Sequence, residues 1–387
     1  MFAVLQCARK GLRRLSLLIC AAALTACDTL PSSSLGSPSG DPVSVALLVP
    51  SGSGRGTDEL LAQSLENAAR LAMRDLNGAA VELTVYQTAG DASLAAANAQ
   101  KAVDEGAQII IGPVYAQPAN AVGKALAGKG ISVLSFSNNA AIAGGNLFVL
   151  GPTFRNTAQR MASFAAAQGK QRFVIVHGND VAGTQGKAAI EQEVTAQGAS
   201  VVGSIGYNLS QQDVIAAIPT IKSAVTDNAA DAIFFTTDTA TALPLLSQLL
   251  PESGISSEVA QFIGLTRWDI PPQTLSLPGV QNGWFAIPDS NAAAAFSGQY
   301  QTAYGTAPHP IGGLAFDAVA AIGALQSQGS GLSPAALAQG AGFRGASGIF
   351  RLNPDGTNTR GLAVATIREA QVQILSPAPQ RFGGAGF

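Results

Sequence analysis

Val43-Ser44-Val45-Ala46-Leu47-Leu48-Val49 is a nearly unbroken apolar run, and a Ser/Gly loop separates it from an amphipathic stretch over 58–77. A run apolar on both of its alternating faces reads as a strand buried on both sides. Downstream, Leu61, Leu65, Ala68, Ala72 and Leu76 recur at helical spacing, and Asn77-Gly78 stops the helix. The same alternation continues outward from this unit: strand 81–86, helix 93–105 closed by Gly106, strand 108–111, helix 118–127 and strand 132–135. It restarts near 172 with strand 173–176, helix 186–197, strand 200–205, helix 213–224, strand 232–235, helix 241–250 and strand 261–263. Such a rhythm predicts an α/β protein with doubly wound parallel sheets, covered by helices on both faces.

The two runs can be laid on each other. Val81, Ala107 and Gly130-Ile131-Ser132 precede Val201, Ala230 and Gly254-Ile255-Ser256 by 120 to 124 residues, which points to two lobes built on one plan. Ligands of such sheets bind outside the carboxyl ends of the strands. Loops 50–57, 112–117 and 135–139 should therefore face loops 177–183, 236–239 and 264–268 across a cleft.

The 387 residues are 47% hydrophobic and 12% charged, with 43 Gly and a formal charge of −2; this disfavours disorder, a collagen-like chain and nucleic-acid binding by bulk positive charge. Arg9, Lys10, Arg13 and Arg14 precede the apolar run 15–24, which has the charge order of a secretory signal and is too short to span a bilayer. Leu24-Thr25-Ala26-Cys27 resembles the lipobox of bacterial lipoproteins, so 1–26 is expected to be a signal peptide and Cys27 the lipidated residue; the alternative is an ordinary signal whose cleavage site carries a Cys. Cys7, Cys20 and Cys27 all lie in this segment, which leaves no disulfide framework for the body. The chain after residue 26 carries 22 − 4 = 18 basic against 24 acidic side chains, a net −6, so membrane attachment is expected through acyl chains on Cys27 rather than a polybasic surface. Residues 27–42, rich in Ser, Pro and Gly, form the expected tether, with a reach of about 20 Å. Asp28 resembles the signal that retains some lipoproteins in the inner membrane, but that code varies between bacteria and leaves the choice of membrane open.

Catalytic chemistry is sparse. Only His177 and His309 are present, neither in a metal-binding spacing, and no Ser-x-x-Lys, Gly-x-Ser-x-Gly or P-loop pattern occurs. Gly52-Ser53-Gly54-Arg55-Gly56-Thr57 lacks the third Gly of a dinucleotide loop, and Gly340-Ala341-Gly342-Phe343-Arg344-Gly345 follows a helix instead of a strand. The expectation is a protein that is not an enzyme, with no cofactor, no metal and no nucleic-acid partner. Asp180, Asp238 and Asp269 fall in predicted cleft loops, where an Asp is usually a cap or turn former.

Over about 43–370 the chain resembles type I periplasmic binding proteins of the leucine-binding family. The resemblance is carried by 45–50, Ala72-Met73-Arg74-Asp75-Leu76-Asn77, Gly106-Ala107-Gln108-Ile109-Ile110-Ile111-Gly112-Pro113, Val133-Leu134-Ser135-Phe136-Ser137, the opening of the second lobe at 155–159, and Pro308 with Phe316-Asp317-Ala318. Within the family, 343–356, 360–364 and 279–286 are most similar to penicillin-binding protein activators. The resemblance implies three crossovers, with 43–152 plus 289–345 as lobe 1, 153–288 plus 346–372 as lobe 2 and 373–387 as a tail.

It also implies a cleft. Tyr115, Ala116 and Gln117 in one lobe-1 loop and Ser137, Asn138 and Asn139 in another match the positions whose hydroxyls and N–H groups hold a ligand carboxylate. On lobe 2 the position of the usual Tyr is Ala182, and that of the acidic partner of the ammonium is Thr266, with Asp238 and Asp269 nearest as substitutes. Asp180, Arg267 and Trp268 complete the candidates, although a Trp at a strand end is as often packed beneath its lobe. The expected function is a lipid-anchored, non-enzymatic regulator of cell-wall synthases on the periplasmic side. The alternative is the substrate-binding protein of an ABC transporter for amino acids or similar small ligands, with a permease as partner.

Overall fold

The computed structural model describes residues 41–76 and 78–383. The signal segment, the Cys27 anchor and nearly all of the tether lie outside the described residues.

The first sheet is built from β1 (Val43–Val49), β2 (Val81–Gln87), β3 (Ile109–Ile111), β4 (Ser132–Ser135) and β5 (Leu147–Val149) in the order β2-β1-β3-β4-β5, with every neighbour parallel. Alternate residues of β1 enter opposite cores, as an apolar run on both faces requires. Val45, Leu47 and Val49 meet helices α1 (Gly56–Ala72), α8 (Ser290–Tyr304) and α9 (Gly313–Ser327), whereas Ala46 and Leu48 meet α2 (Ala92–Asp104) and α3 (Ala116–Ala125).

The second sheet has the order β15-β14-β10-β9-β8-β6-β7. Its parallel part is β6 (Arg172–Gly178), β7 (Ser200–Tyr207), β8 (Ala232–Phe235), β9 (Gln261–Gly264) and β10 (Trp284–Ile287); β14 (Ala363–Arg368) and β15 (Gln371–Ser376) add antiparallel at one edge. Val174 and Val176 pack towards α6 (Gln211–Asp227) and α7 (Leu243–Glu252). Phe173 and Ile175 pack towards α4 (Phe154–Ala167) and α5 (Val181–Ala196). The α/β architecture with two helix-covered parallel sheets is thus the one the alternation predicts.

Two parts differ from the sequence reading. A third, antiparallel sheet of β11 (Phe343–Gly345), β12 (Gly348–Leu352) and β13 (Asn358–Arg360) precedes β14. Phe350 and Leu352 of β12 lie in the core of the first sheet, whereas Leu362 and Val364 lie in that of the second. The last change of core therefore falls between 352 and 362, later than the 345 expected, and β15 extends beyond 372.

The first and last crossovers run side by side. Asn358 Nδ2 donates to Val149 O (2.8 Å) and Gly151 O (2.9 Å), and Arg360 Nη2 donates to Leu150 O (2.6 Å). Arg360 Nη1 also reaches Asp317 Oδ2 at 3.0 Å, and Asp317 Oδ1 accepts from Ala346 N–H at 2.6 Å. Most buried polar groups in folded proteins are partnered in this way, and these bonds tie the junction to α9.

Candidate ligand-binding cleft

The lobe-1 wall starts at Gly112, at φ +84°, where a Cβ would lie 2.3 Å from Leu48 O. Only glycine fits there. The chain turns past Pro113, and α3 begins at Ala116 with Tyr115 as its N-cap and Pro118 in its first turn. Proline is harmless at that position because the first N–H groups of a helix have no intrahelical acceptor. Those of Ala116 and Gln117 belong to this first turn, at the positive end of the helix.

The second lobe-1 loop is folded by its own polar groups. Ser135 Oγ accepts from Ser137 N–H (3.1 Å), Ser137 Oγ accepts from Asn139 N–H (3.1 Å), and Ser137 O accepts from Gly151 N–H (3.0 Å). Tyr115, Ala116, Ser137, Asn138 and Asn139 together line a cavity of about 550 Å³. Gln117 is exposed and its side chain is not part of that lining. Val114, Phe136, Ile311 and Leu314 supply apolar surface from the first lobe, Phe154 from the crossover and Val181 from α5 of the second lobe, where Gln185 adds a polar amide. No charged side chain lines this cavity.

Tyr115 is held from behind. Its Oη donates to Asp58 Oδ1 at 2.6 Å, Arg55 Nε donates to Asp58 Oδ2 at 3.0 Å, and the Arg55 guanidinium lies 5.9 Å from the Tyr115 ring centre. Burial alone would raise the Asp58 carboxyl, but hydrogen bonds from Tyr115, Ser53 and Arg55 and the Arg55 charge outweigh it and hold it below 3.8. The hydrogen bond to Asp58, then burial, raises the Tyr115 phenol above 10.

On lobe 2 the candidates separate. Asp180 caps α5, its Oδ1 accepting from Gly183 N–H at 2.6 Å, and Asp238 Oδ1 accepts from Ala240 N–H (3.1 Å) and Thr241 Oγ1 (2.8 Å). Both carboxylates also line a small pocket of about 50 Å³ with Tyr207, Thr236, Thr237 and Thr241. Thr266 Oγ1 donates to Thr237 O at 3.0 Å, and Arg267 Nε pairs with Asp269 Oδ1 at 2.9 Å; neither Thr266 nor Arg267 lines either cavity.

Trp268 is not a cleft residue. It is 1% exposed, stacked on Phe285 with ring centres 6.2 Å apart and tilted against Phe235 at the same distance. Gly264 and Gly283 make room for it: a Cβ on either would sit 2.5 or 2.3 Å from the indole.

A family model described as periplasmic binding protein matches residues 42–371. The chain belongs to the periplasmic binding protein family. No curated protein matches it at the sequence level. Among solved structures, a putative branched-chain amino acid ABC transporter protein from Rhodospirillum rubrum is 19% identical, with a TM-score of 0.72 over 87% of this chain and 100% of that one. An ABC transporter substrate-binding protein from Desulfitobacterium hafniense in complex with Leu is 18% identical, with a TM-score of 0.60 over 87% and 100%. A solute-binding protein from R. palustris in complex with benzoate is 17% identical, with a TM-score of 0.55 over 89% and 99%. These likenesses support the type I fold. They support the broad resemblance and not the narrower one to penicillin-binding protein activators.

Lining residues outside the cleft loops named from the sequence are Gly151, Pro152, Phe154, Gln185, Ile311 and Leu314 in the large cavity and Tyr207, Leu209 and Thr241 in the small one; Val181 and Thr236 lie in those loops but are not among the candidates. Tyr207 sits at the carboxyl end of β7, the signal that could have found it.

Proposed function

We propose that this periplasmic binding protein is the substrate-binding component of an ABC transporter for small carboxylates with an apolar body, amino acids among them. One observation carries the reading: a cavity of about 550 Å³ is lined by the start of α3, by the polar Ser137 loop, by apolar side chains and by residues of both lobes, with no charged side chain among them. N–H and O–H donors at a helix N-terminus suit a carboxylate, and an uncharged lining suits an aliphatic or aromatic body. Leucine and benzoate, held by two of the solved relatives, are both of this kind.

Val181 and Gln185 reach the cavity from the second lobe, so a ligand touching both walls favours the shut cleft and shifts the open-to-closed population. A permease that reads lobe orientation would then accept only the loaded form. Acyl chains on Cys27 would hold the protein on the periplasmic side of the envelope.

A thermal-shift panel of L-amino acids, aliphatic and aromatic monocarboxylates, and muropeptides tests the reading. A ligand at 100 times its dissociation constant adds about 2.7 kcal/mol, a shift of roughly a few degrees at this size. A shift with at least one carboxylate class is expected. Silence among the small carboxylates, or a response to muropeptides alone, would overturn it in favour of a cell-wall role.

A further inference from the structure

The chain continues in an ordered path after β15. Ala378, two residues beyond that strand, is still buried in a core of the second sheet. Phe382 lies instead against the third sheet, whose Phe343, Phe350 and Leu352 belong to the core of the first. Residues 379–382 therefore pass from one lobe to the other beside the three crossovers. Pro377 and Pro379 fix φ on either side of Ala378, so the span leaves the second lobe stiffly.

The far end is held at separate points. Gln380 Nε2 donates to Asp289 Oδ2 at 2.6 Å, and Asp289 Oδ1 caps α8 by accepting from Asn291 N–H (2.9 Å) and Ala292 N–H (3.2 Å), so this bond lands where the second crossover enters the first lobe. The half-buried Phe382 ring fills the space that Gly342 leaves before β11, where a Cβ would collide with it, and its centre lies 4.8 Å from the Arg351 guanidinium of β12. Arg351 Nε has no hydrogen-bond partner, and its charge is in no ion pair among the described residues, so the ring is what steadies that cation. In between, Pro379 O passes the last crossover so closely that a Cβ on Gly361 would meet it at 3.1 Å. That crossover is in turn bonded to the first through Asn358 and Arg360, which reach the carbonyls of 149–151.

Lobes joined by crossovers rotate through changes of φ and ψ in those few residues. A span anchored in one lobe and fastened to the other at Asp289, Gly342 and Arg351 resists such changes. We propose that residues 379–382 are a strap across the hinge: they hold the lobes in the orientation seen here and loosen before the lobes rotate. The strap acts on the protein without ligand, so the inference stands apart from the solute-binding reading. It also makes the tail, rather than the three crossovers alone, a determinant of how readily the cleft changes shape.

Hydrogen exchange of the purified, ligand-free protein tests it, with three variants beside wild type: a chain ending at Ala378, which keeps that buried residue, and full chains with Phe382→Ala or Phe382→Tyr. The N–H groups of Gly151, Asp289 and Gly361, one in each crossover, donate to Ser137 O, Ser347 O and Ile349 O. Asp289 and Gly361 lie against the strap and would exchange faster merely by being uncovered. None of the strap's contacts reaches the first crossover, so Gly151 reports the hinge itself. Its segment should exchange about five-fold faster or more in the shortened chain and in Phe382→Ala, with β1 and β6 unchanged and Phe382→Tyr close to wild type. A second readout is the distance between spin labels on Leu60→Cys and Leu209→Cys, exposed positions that follow the carboxyl ends of β1 and β7 on opposite lobes, in a chain whose Cys7, Cys20 and Cys27 are changed to Ser. Its distribution should broaden when the strap is removed. Faster exchange confined to Asp289 and Gly361 with unchanged label distances would make the segment a cover and overturn the inference. So would wild-type behaviour of both the shortened chain and Phe382→Ala, or acceleration spread evenly through β1 and β6, which would show a loss of global stability instead of a freed hinge.

Discussion

Tyr115 Oη donates a 2.6 Å hydrogen bond to Asp58 Oδ1, joining the loop after β3 to the first turn of α1 directly behind the cavity wall. Asp58 is buried, and the Arg55 that pairs with it is largely exposed, so the phenol is the better shielded of its two partners.

Tyr115→Phe should cost about 1–2 kcal/mol, the range for a hydrogen bond to a charged group in a partly exposed setting. The native Asp58 carboxyl is held below its ordinary 3.8. Its contribution is therefore complete above pH 3.8 and is lost as pH falls through the lower native value. Denaturant titrations between pH 2 and 7 should show a gap between wild type and variant that narrows on acidification. A gap of constant size would contradict this.

Trp268→Ala should destabilise by about 3–5 kcal/mol, the cost of deleting a fully buried aromatic. Trp268→Phe should lose less, and wherever the variant stays folded its ligand affinity should match wild type. The contrary pattern, full stability with lost affinity, would return Trp268 to the cleft.

The junction pair makes a third test. Arg360 and Asp317 side chains are 6% and 1% exposed and 3.0 Å apart. Removing one partner of a buried pair typically costs 3–5 kcal/mol, because the other charge is stranded, whereas replacing both costs much less. Arg360→Met should therefore be worse than the double variant with Asp317→Leu. Burial already raises Asp317 above 3.8 against the pull of Arg360 and the Ala346 N–H. A raised carboxyl favours folding while protonated and loses that benefit as pH rises through its native value. The penalty of Arg360→Met should accordingly be smaller at pH 5 than at pH 7 in the same unfolding assay.

The alternation that begins at Val43 was legible because strands buried on both faces and helices with one apolar stripe differ in period. Boundaries decided by capping were less so. Helix α5 reads as starting at Gly186, since Gly183 and Gly186 weaken its pattern, yet it starts at Val181, where Asp180 caps it. Gly183 there lets the turn approach Gly178 O, which a Cβ would meet at 2.1 Å. Those five residues bring Val181 and Gln185 to the cavity. That Tyr115, Ala116 and Ser137 to Asn139 line one cavity was legible through strand ends and family resemblance. The burial of Trp268 was not, because it depends on space left by Gly264, at the end of β9, and by Gly283 beside β10. Tyr207 escaped because β7 runs two residues beyond its apolar pattern.

The central claim is that a small carboxylate ligand sits between the two lobes. Val181 projects from the first turn of α5, is 74% exposed and lines the cavity from the second lobe, so Val181→Trp fills the space without disturbing a core. Titration calorimetry of wild type and Val181→Trp with the same panel of amino acids and monocarboxylates is the direct measurement. The account predicts one-to-one binding of at least one of them by wild type, and a loss of at least ten-fold in the variant at unchanged Tm. Equal affinity in the two proteins would place the ligand elsewhere, and no binding by wild type would contradict the account itself.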